Sequence, residues 1–175
     1  MIHLPTDLFR PEVHGRLSIL TGPAGSGKST FCARLAAEAQ KRHLTVRGLY
    51  SPAVLHNGHK IGIDLCLLPE QQCRRLGTKR PQQDTRSLTQ HWQMNEETLR
   101  WGNAHLHNLP ESQLLIIDEL GPLEFLGQQG LTAALSLLDA RAHRQAVVVI
   151  RPALLPRAQA RWPWARVLTP PAATP

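Results

Sequence analysis

The stretch Gly22-Pro23-Ala24-Gly25-Ser26-Gly27-Lys28-Ser29, followed by Thr30, constrains the fold of this chain more than any other. It has the spacing G-x-x-x-x-G-K-S. The apolar run Leu17-Ser18-Ile19-Leu20 before it reads as a buried strand, and Ser29 to Glu38 after it reads as the start of a helix. Strand, glycine-rich turn and helix together make a phosphate cradle: the turn aims successive backbone N–H groups inward, and the helix N-terminus lies behind them. In such a cradle Lys28 reaches the β- and γ-phosphates, and the Ser29 hydroxyl ligates a bound Mg²⁺. The expected ligand is therefore a nucleoside triphosphate carrying magnesium, held by residues 22–30.

The second constraint is Gln113-Leu114-Leu115-Ile116-Ile117-Asp118-Glu119. Apolar residues without alternation mark a strand covered on both faces, as in a parallel sheet. Its carboxyl end, where open α/β sheets place their ligands, carries two acids. Asp118 is expected to hold the metal opposite Ser29. Glu119, on the other side of the pleat, is expected to orient or deprotonate an attacking water. Arg151 follows a further apolar strand, Ala146 to Ile150, and is expected at the same edge as a charge stabiliser. The catalytic set read from the sequence is thus Glu119, Lys28 and Arg151. Glu124 is a weaker candidate for supporting the site.

The 175 residues fit a single domain, read as 1–168 with an N-terminal arm over 1–15 and a disordered, proline-rich tail over 169–175. A second strand is expected over 44–50. Asn57-Gly58 between two β-rich runs marks a hairpin inserted over 51–67, because both central residues of a type I′ turn need positive φ. Residues 69–93 are basic, polar and without clear period, and are read as a surface loop able to supply a lid or an arginine. Helices are expected over 94–109, with Asn95 as cap, over 130–143 and over 153–161; Arg166-Val167-Leu168 is expected as a last strand. The fold expected from these elements is an α/β domain with a mostly parallel central sheet.

Composition narrows the class further. No apolar run approaches the ~20 residues of a membrane span, and Met1 to Asp7 lacks the features of a secretory signal. The three cysteines, Cys32, Cys66 and Cys73, form no C-x-x-C pair and are read as reduced thiols in a cytoplasm. The net charge of +7 suits polyphosphate as well as nucleic acid, and no aromatic-interleaved stripe accompanies it. Specific nucleic-acid binding is therefore neither expected nor excluded, and no protein partner is legible. The nine histidines lack paired metal-ligand spacing.

The pattern resembles the THEP1-type nucleoside-triphosphatases, also called cancer-related nucleoside-triphosphatases. Four blocks carry the likeness: GPAGSGKST at 22–30, GLYS at 48–51, KIGIDL at 60–65 and LLIIDELGPLEF at 114–125. The resemblance implies a three-layer, RecA/AAA-like P-loop core with a β-hairpin insertion, hydrolysing ATP, GTP and other triphosphates with loose base preference. It matches Asp118 to the metal-associated acid and Glu119 to the catalytic one. Pro52 and Ala53 stand where relatives often carry acids, and a C-terminal segment common in the family is not matched beyond Thr169; both departures imply slow turnover. Two other readings stay open at this stage: a P-loop kinase for a small metabolite or nucleotide, and a nucleotide-binding regulatory subunit.

Overall fold

The computed structural model describes residues 4–9 and 14–170. β1 (Arg16–Leu20) enters the glycine loop and α1 (Lys28–Lys41) leaves it. β2 (Val46–Tyr50) follows, then β3 (Ala53–His56), β4 (His59–Leu68), β5 (Cys73–Lys79) and β6 (Trp92–Met94). α2 (Glu96–His107) leads to β7 (Leu114–Leu120), α3 (Pro122–Gly127), α4 (Thr132–Ala140) and β8 (Gln145–Ile150). A 3₁₀ turn, α5 (Leu155–Arg161) and β9 (Arg166–Leu168) end the described chain.

The strands form one sheet in the order β6-β5-β4-β2-β7-β8-β1-β9, with β3 paired to β4. From β2 to β9 every pairing is parallel; from β2 outward to β6 every pairing is antiparallel. The molecule is thus a parallel α/β core with an antiparallel wing. Apolar clusters cover both faces. Phe31, Leu35 and Ala39 of α1 pack with Leu8 on one side; Leu106, Leu138 and Trp162 pack on the other. β8 is buried at all six positions, as two-sided burial requires.

The hairpin turn forms as expected, with Asn57 at φ 49° and Gly58 at φ 76°. The Asn95 side chain accepts from the Thr98 N–H at 3.1 Å and caps α2. Gly48 of β2 answers a different need. Its φ is 122°, and a Cβ there would lie 1.9 Å from the Ile116 carbonyl oxygen of the neighbouring strand. Only a residue without a side chain lets β2 and β7 approach so closely.

Two expectations are corrected. The reading of 69–93 as a loop misses β5 and β6, which continue the hairpin into the wing. Only Leu76 and Gly77 of β5 are buried, and its exposed positions carry Arg74, Arg75 and Lys79, so the apolar alternation of a strand is lost under charge. The reading of reduced thiols is also corrected: Cys66 and Cys73, facing each other across β4 and β5, are joined in a disulfide. Cys32 remains a buried free thiol. Residues 1–3 and 10–13 of the arm and 171–175 of the tail lie outside the described residues, and Leu8 of the arm is 1% exposed against the core.

Candidate active site

The glycine loop connects the end of β1 to the start of α1 as the spacing required. Gly25 and Gly27 have φ of 76° and 83°, which closes the turn so that Phe31 N–H already bonds Gly27 at 2.8 Å. Pro23, Ala24, Gly25 and Thr30 are exposed, and Ser26 to Ser29 are half-buried. The Lys28 ammonium folds across the loop and donates to the carbonyls of Gly22 at 2.8 Å and Pro23 at 2.7 Å. Gly22 itself is buried at the loop's entry. A lysine held over its own loop places a point charge at the mouth of the cradle.

Asp118 stands at the end of β7, 2% exposed. Its Oδ1 accepts from the Ser29 hydroxyl at 3.3 Å and its Oδ2 from the Ser51 N–H at 3.2 Å. Burial pushes its carboxyl up to about 6, and the hydrogen bonds from Ser51 and Ser29 oppose that shift. The loop and the acidic strand, separated in sequence by 89 positions, thus meet at one point. A buried carboxylate facing a hydroxyl at a phosphate cradle fits a hard cation that keeps most of its ligands as water and phosphate oxygen. Among the described residues no group of three or more His, Cys, Asp or Glu is gathered, so a caged metal is not what the side chains offer.

Glu119 departs from the pleat. Ile117 pairs with Val148 and Leu120 with Ile150, so three steps on β7 match two on β8. The extra residue makes a bulge, and Glu119 takes a φ of 81°, a left-handed conformation uncommon for a long side chain. Asp118 therefore turns toward the loop, while Glu119 reaches Arg151 at the end of β8 and pairs with it through Oε1 and Nε. The expected residues Ser29, Asp118, Glu119 and Arg151 all gather at one sheet edge.

Glu124 takes a structural place. It is 7% exposed and accepts from the Gly121 N–H and the Leu131 N–H, both at 2.7 Å. It ties the turn after β7 to the start of α4. Burial raises its carboxyl despite those bonds. Three basic residues of 69–93 are likewise engaged by their neighbours: Arg75 pairs with Asp64 at 2.6 Å, Arg74 lies over Trp101 of α2, and Arg80 donates to the Trp92 carbonyl.

Two residues near the site were not singled out from the sequence. Ser51 supplies a backbone donor to Asp118, which no side-chain pattern announces. Lys60 of β4 sits with its ammonium 5.0 Å from the Trp92 ring centre. Burial lowers its pKa, and the charge of Glu119 opposes the change. Its place near the acidic edge depends on how the hairpin folds back.

Comparison with known proteins agrees with this geometry. A sequence model of the NTPase family matches residues 18–161. The nucleoside-triphosphatase THEP1 of Methanopyrus kandleri is 25% identical over 135 residues, covering 75% of this chain and 71% of that one. The cancer-related nucleoside-triphosphatase homolog of Mus musculus is 31% identical over 130 residues, covering 69% and 67%. The solution structure of a human cancer-related nucleoside triphosphatase superposes with a TM-score of 0.65 at 21% identity, covering 88% of both chains. That likeness establishes a shared fold.

Proposed function

Because this chain belongs to the THEP1-type nucleoside-triphosphatase family and hydrolyses nucleoside triphosphates, we propose that the reaction is Mg²⁺-dependent release of the γ-phosphate from ATP, GTP and other triphosphates. The observation that carries this reading is the Ser29–Asp118 contact at 3.3 Å, which brings the loop and the acidic strand to one point. When bound, Mg²⁺ would neutralise developing charge on the phosphates, with Ser29 and Asp118 as its protein ligands.

The chain's own residues supply the rest. Backbone N–H groups of 22–30 cradle the polyphosphate at the N-terminus of α1. Lys28 exchanges the carbonyls of Gly22 and Pro23 for phosphate oxygens, which are stronger partners because they are charged. Glu119 leaves Arg151 and accepts the proton of a water aligned with the γ-phosphate. Arg151, released from Glu119, stabilises the charge spreading over the phosphoryl oxygens. The ion pair at rest thus holds the base and the charge stabiliser together until a γ-phosphate competes for the guanidinium.

The cytoplasm is the proposed location, where the Cys66–Cys73 pair would meet a reducing thiol pool. Phosphate release measured across several triphosphates, with and without Mg²⁺, tests the proposal. Release that needs no acceptor and stops on chelation is the expected result. Release only with an added acceptor, or undiminished by chelation, would overturn it.

A further inference from the structure

Beside the acidic edge, on the side of β7 away from the glycine loop, lies a cavity of about 260 Å³. Ile63 of β4, Leu76 of β5, Trp92 and Met94 of β6 and Leu99 of α2 form its walls, and Glu119 and Arg151 also line it. No residue of the phosphate cradle, 22–30, contributes. The sheet order explains why: the loop follows β1, which β8 separates from β7, whereas the cavity lies under the antiparallel wing. The two spaces meet at the Glu119–Arg151 pair and at Ser51, which lines the cavity and whose N–H donates to Asp118.

The lining states what the cavity can hold. Its walls are mostly aliphatic and aromatic, with Ser51, Thr89, Gln90 and His91 adding polar groups. Glu124 also lines it, but both its oxygens already accept backbone N–H groups at 2.7 Å. The Glu119–Arg151 contact uses one carboxylate oxygen and the guanidinium Nε, so the second oxygen and the terminal nitrogens can meet a ligand. An acceptor beside donors in an apolar, aromatic slot matches the donor–acceptor edge of a flat heterocycle. The Glu119–Arg151 pair itself presents no net charge, and the Lys60 ammonium nearby is already engaged over the Trp92 ring at 5.0 Å.

We propose that this cavity is a second ligand site, taking an uncharged heteroaromatic molecule of nucleobase or nucleoside size and slowing hydrolysis by holding Glu119 away from the attacking water. The effect on turnover rests on the role given to Glu119 above; the binding does not. A molecule seated there touches the base without touching the triphosphate, so it lowers kcat and leaves the triphosphate KM nearly unchanged.

Guanosine is the probe, with tryptophan fluorescence as the readout and a non-hydrolysable ATP analogue plus Mg²⁺ kept saturating. Saturable quenching is expected, mostly lost in Trp92→Phe and weakened about tenfold or more by Leu88→Trp, which narrows the rim. Leu88 is 41% exposed, so the second variant keeps the fold even if the first perturbs it. Quenching that the ATP analogue abolishes would place guanosine in the triphosphate site and overturn the proposal. So would quenching unaltered in both variants, or no saturable quenching at millimolar guanosine. Binding without any fall in kcat would overturn the coupling to Glu119 while leaving hydrolysis itself established by the phosphate-release assay.

Discussion

Gly48→Ala tests the link between a backbone approach and the acidic site. The added Cβ would lie 1.9 Å from the Ile116 carbonyl oxygen and 2.9 Å from its carbon. An ordinary contact needs about 3.5 Å, so β2 and β7 must part by roughly 1.6 Å. The obstruction is main chain in a central ladder, where Gly48 pairs with Ile116, and it cannot rotate aside. Losing about two buried ladder bonds at ~1–3 kcal/mol each, with left-handed strain of ~1–3 kcal/mol, gives about 3–9 kcal/mol. That is comparable with the whole stability of a domain, ~5–15 kcal/mol. The same displacement moves Ser51, the Asp118 donor, so Mg²⁺ dependence should weaken in any protein that still folds. Gly58→Ala is the control: its φ is 76°, but nothing lies within 4 Å of its Cβ, so a cost of only ~1 kcal/mol is expected. Urea unfolding of both variants decides the matter. Equal losses in the two would refute the close-approach argument.

Lys28→Ala should abolish binding of a fluorescent triphosphate, since no other loop side chain carries that charge; retained affinity would remove Lys28 from the cradle. Glu119→Gln should keep triphosphate binding and cut kcat by ~10²-fold or more, and unchanged single-turnover hydrolysis would remove its role as base. His143, 2% exposed, has its pKa lowered from 6.5 to about 4, first by burial and then by Arg141. The unfolded chain therefore binds a proton below pH 6.5 that the folded chain refuses until about pH 4, so stability should fall as pH drops through that window, by about 3 kcal/mol. Asp118, raised to about 6, acts with the opposite sign between 6 and 3.8. Comparing urea midpoints of the parent and His143→Leu at pH 7.5 and 4.5 isolates the histidine, and parallel pH slopes would contradict its assignment.

The legible parts of this chain were those whose chemistry is local. The glycine loop, the unbroken apolar run into Asp118-Glu119, the Asn57-Gly58 turn and the Asn95 cap each need only a few neighbouring residues to declare themselves. What was hidden depends on register between distant segments. β5 shows only Leu76 and Gly77 to the interior, so its sequence reads as charged loop until β4 is laid beside it. The Cys66–Cys73 pairing needs that same register. The bulge at Glu119 could not be read because glutamate carries no mark of positive φ, as glycine does. The strand alternation would have separated the two acids by pleat alone; the chain separates them by an inserted residue instead.

The position of β8 between β1 and β7 sets a gauge for the catalytic cleft. The glycine loop springs from the end of β1 and Asp118 stands at the end of β7, rails two inter-strand spacings apart, about 9–10 Å of hydrogen-bonded main chain. Side-chain changes along the middle rail can thicken or thin the helical layers above and below it, but the span between its neighbours stays fixed by peptide geometry. A breeder of variants could therefore reshape what the enzyme accepts at either flank while the distance across which it grips a polyphosphate stays the same.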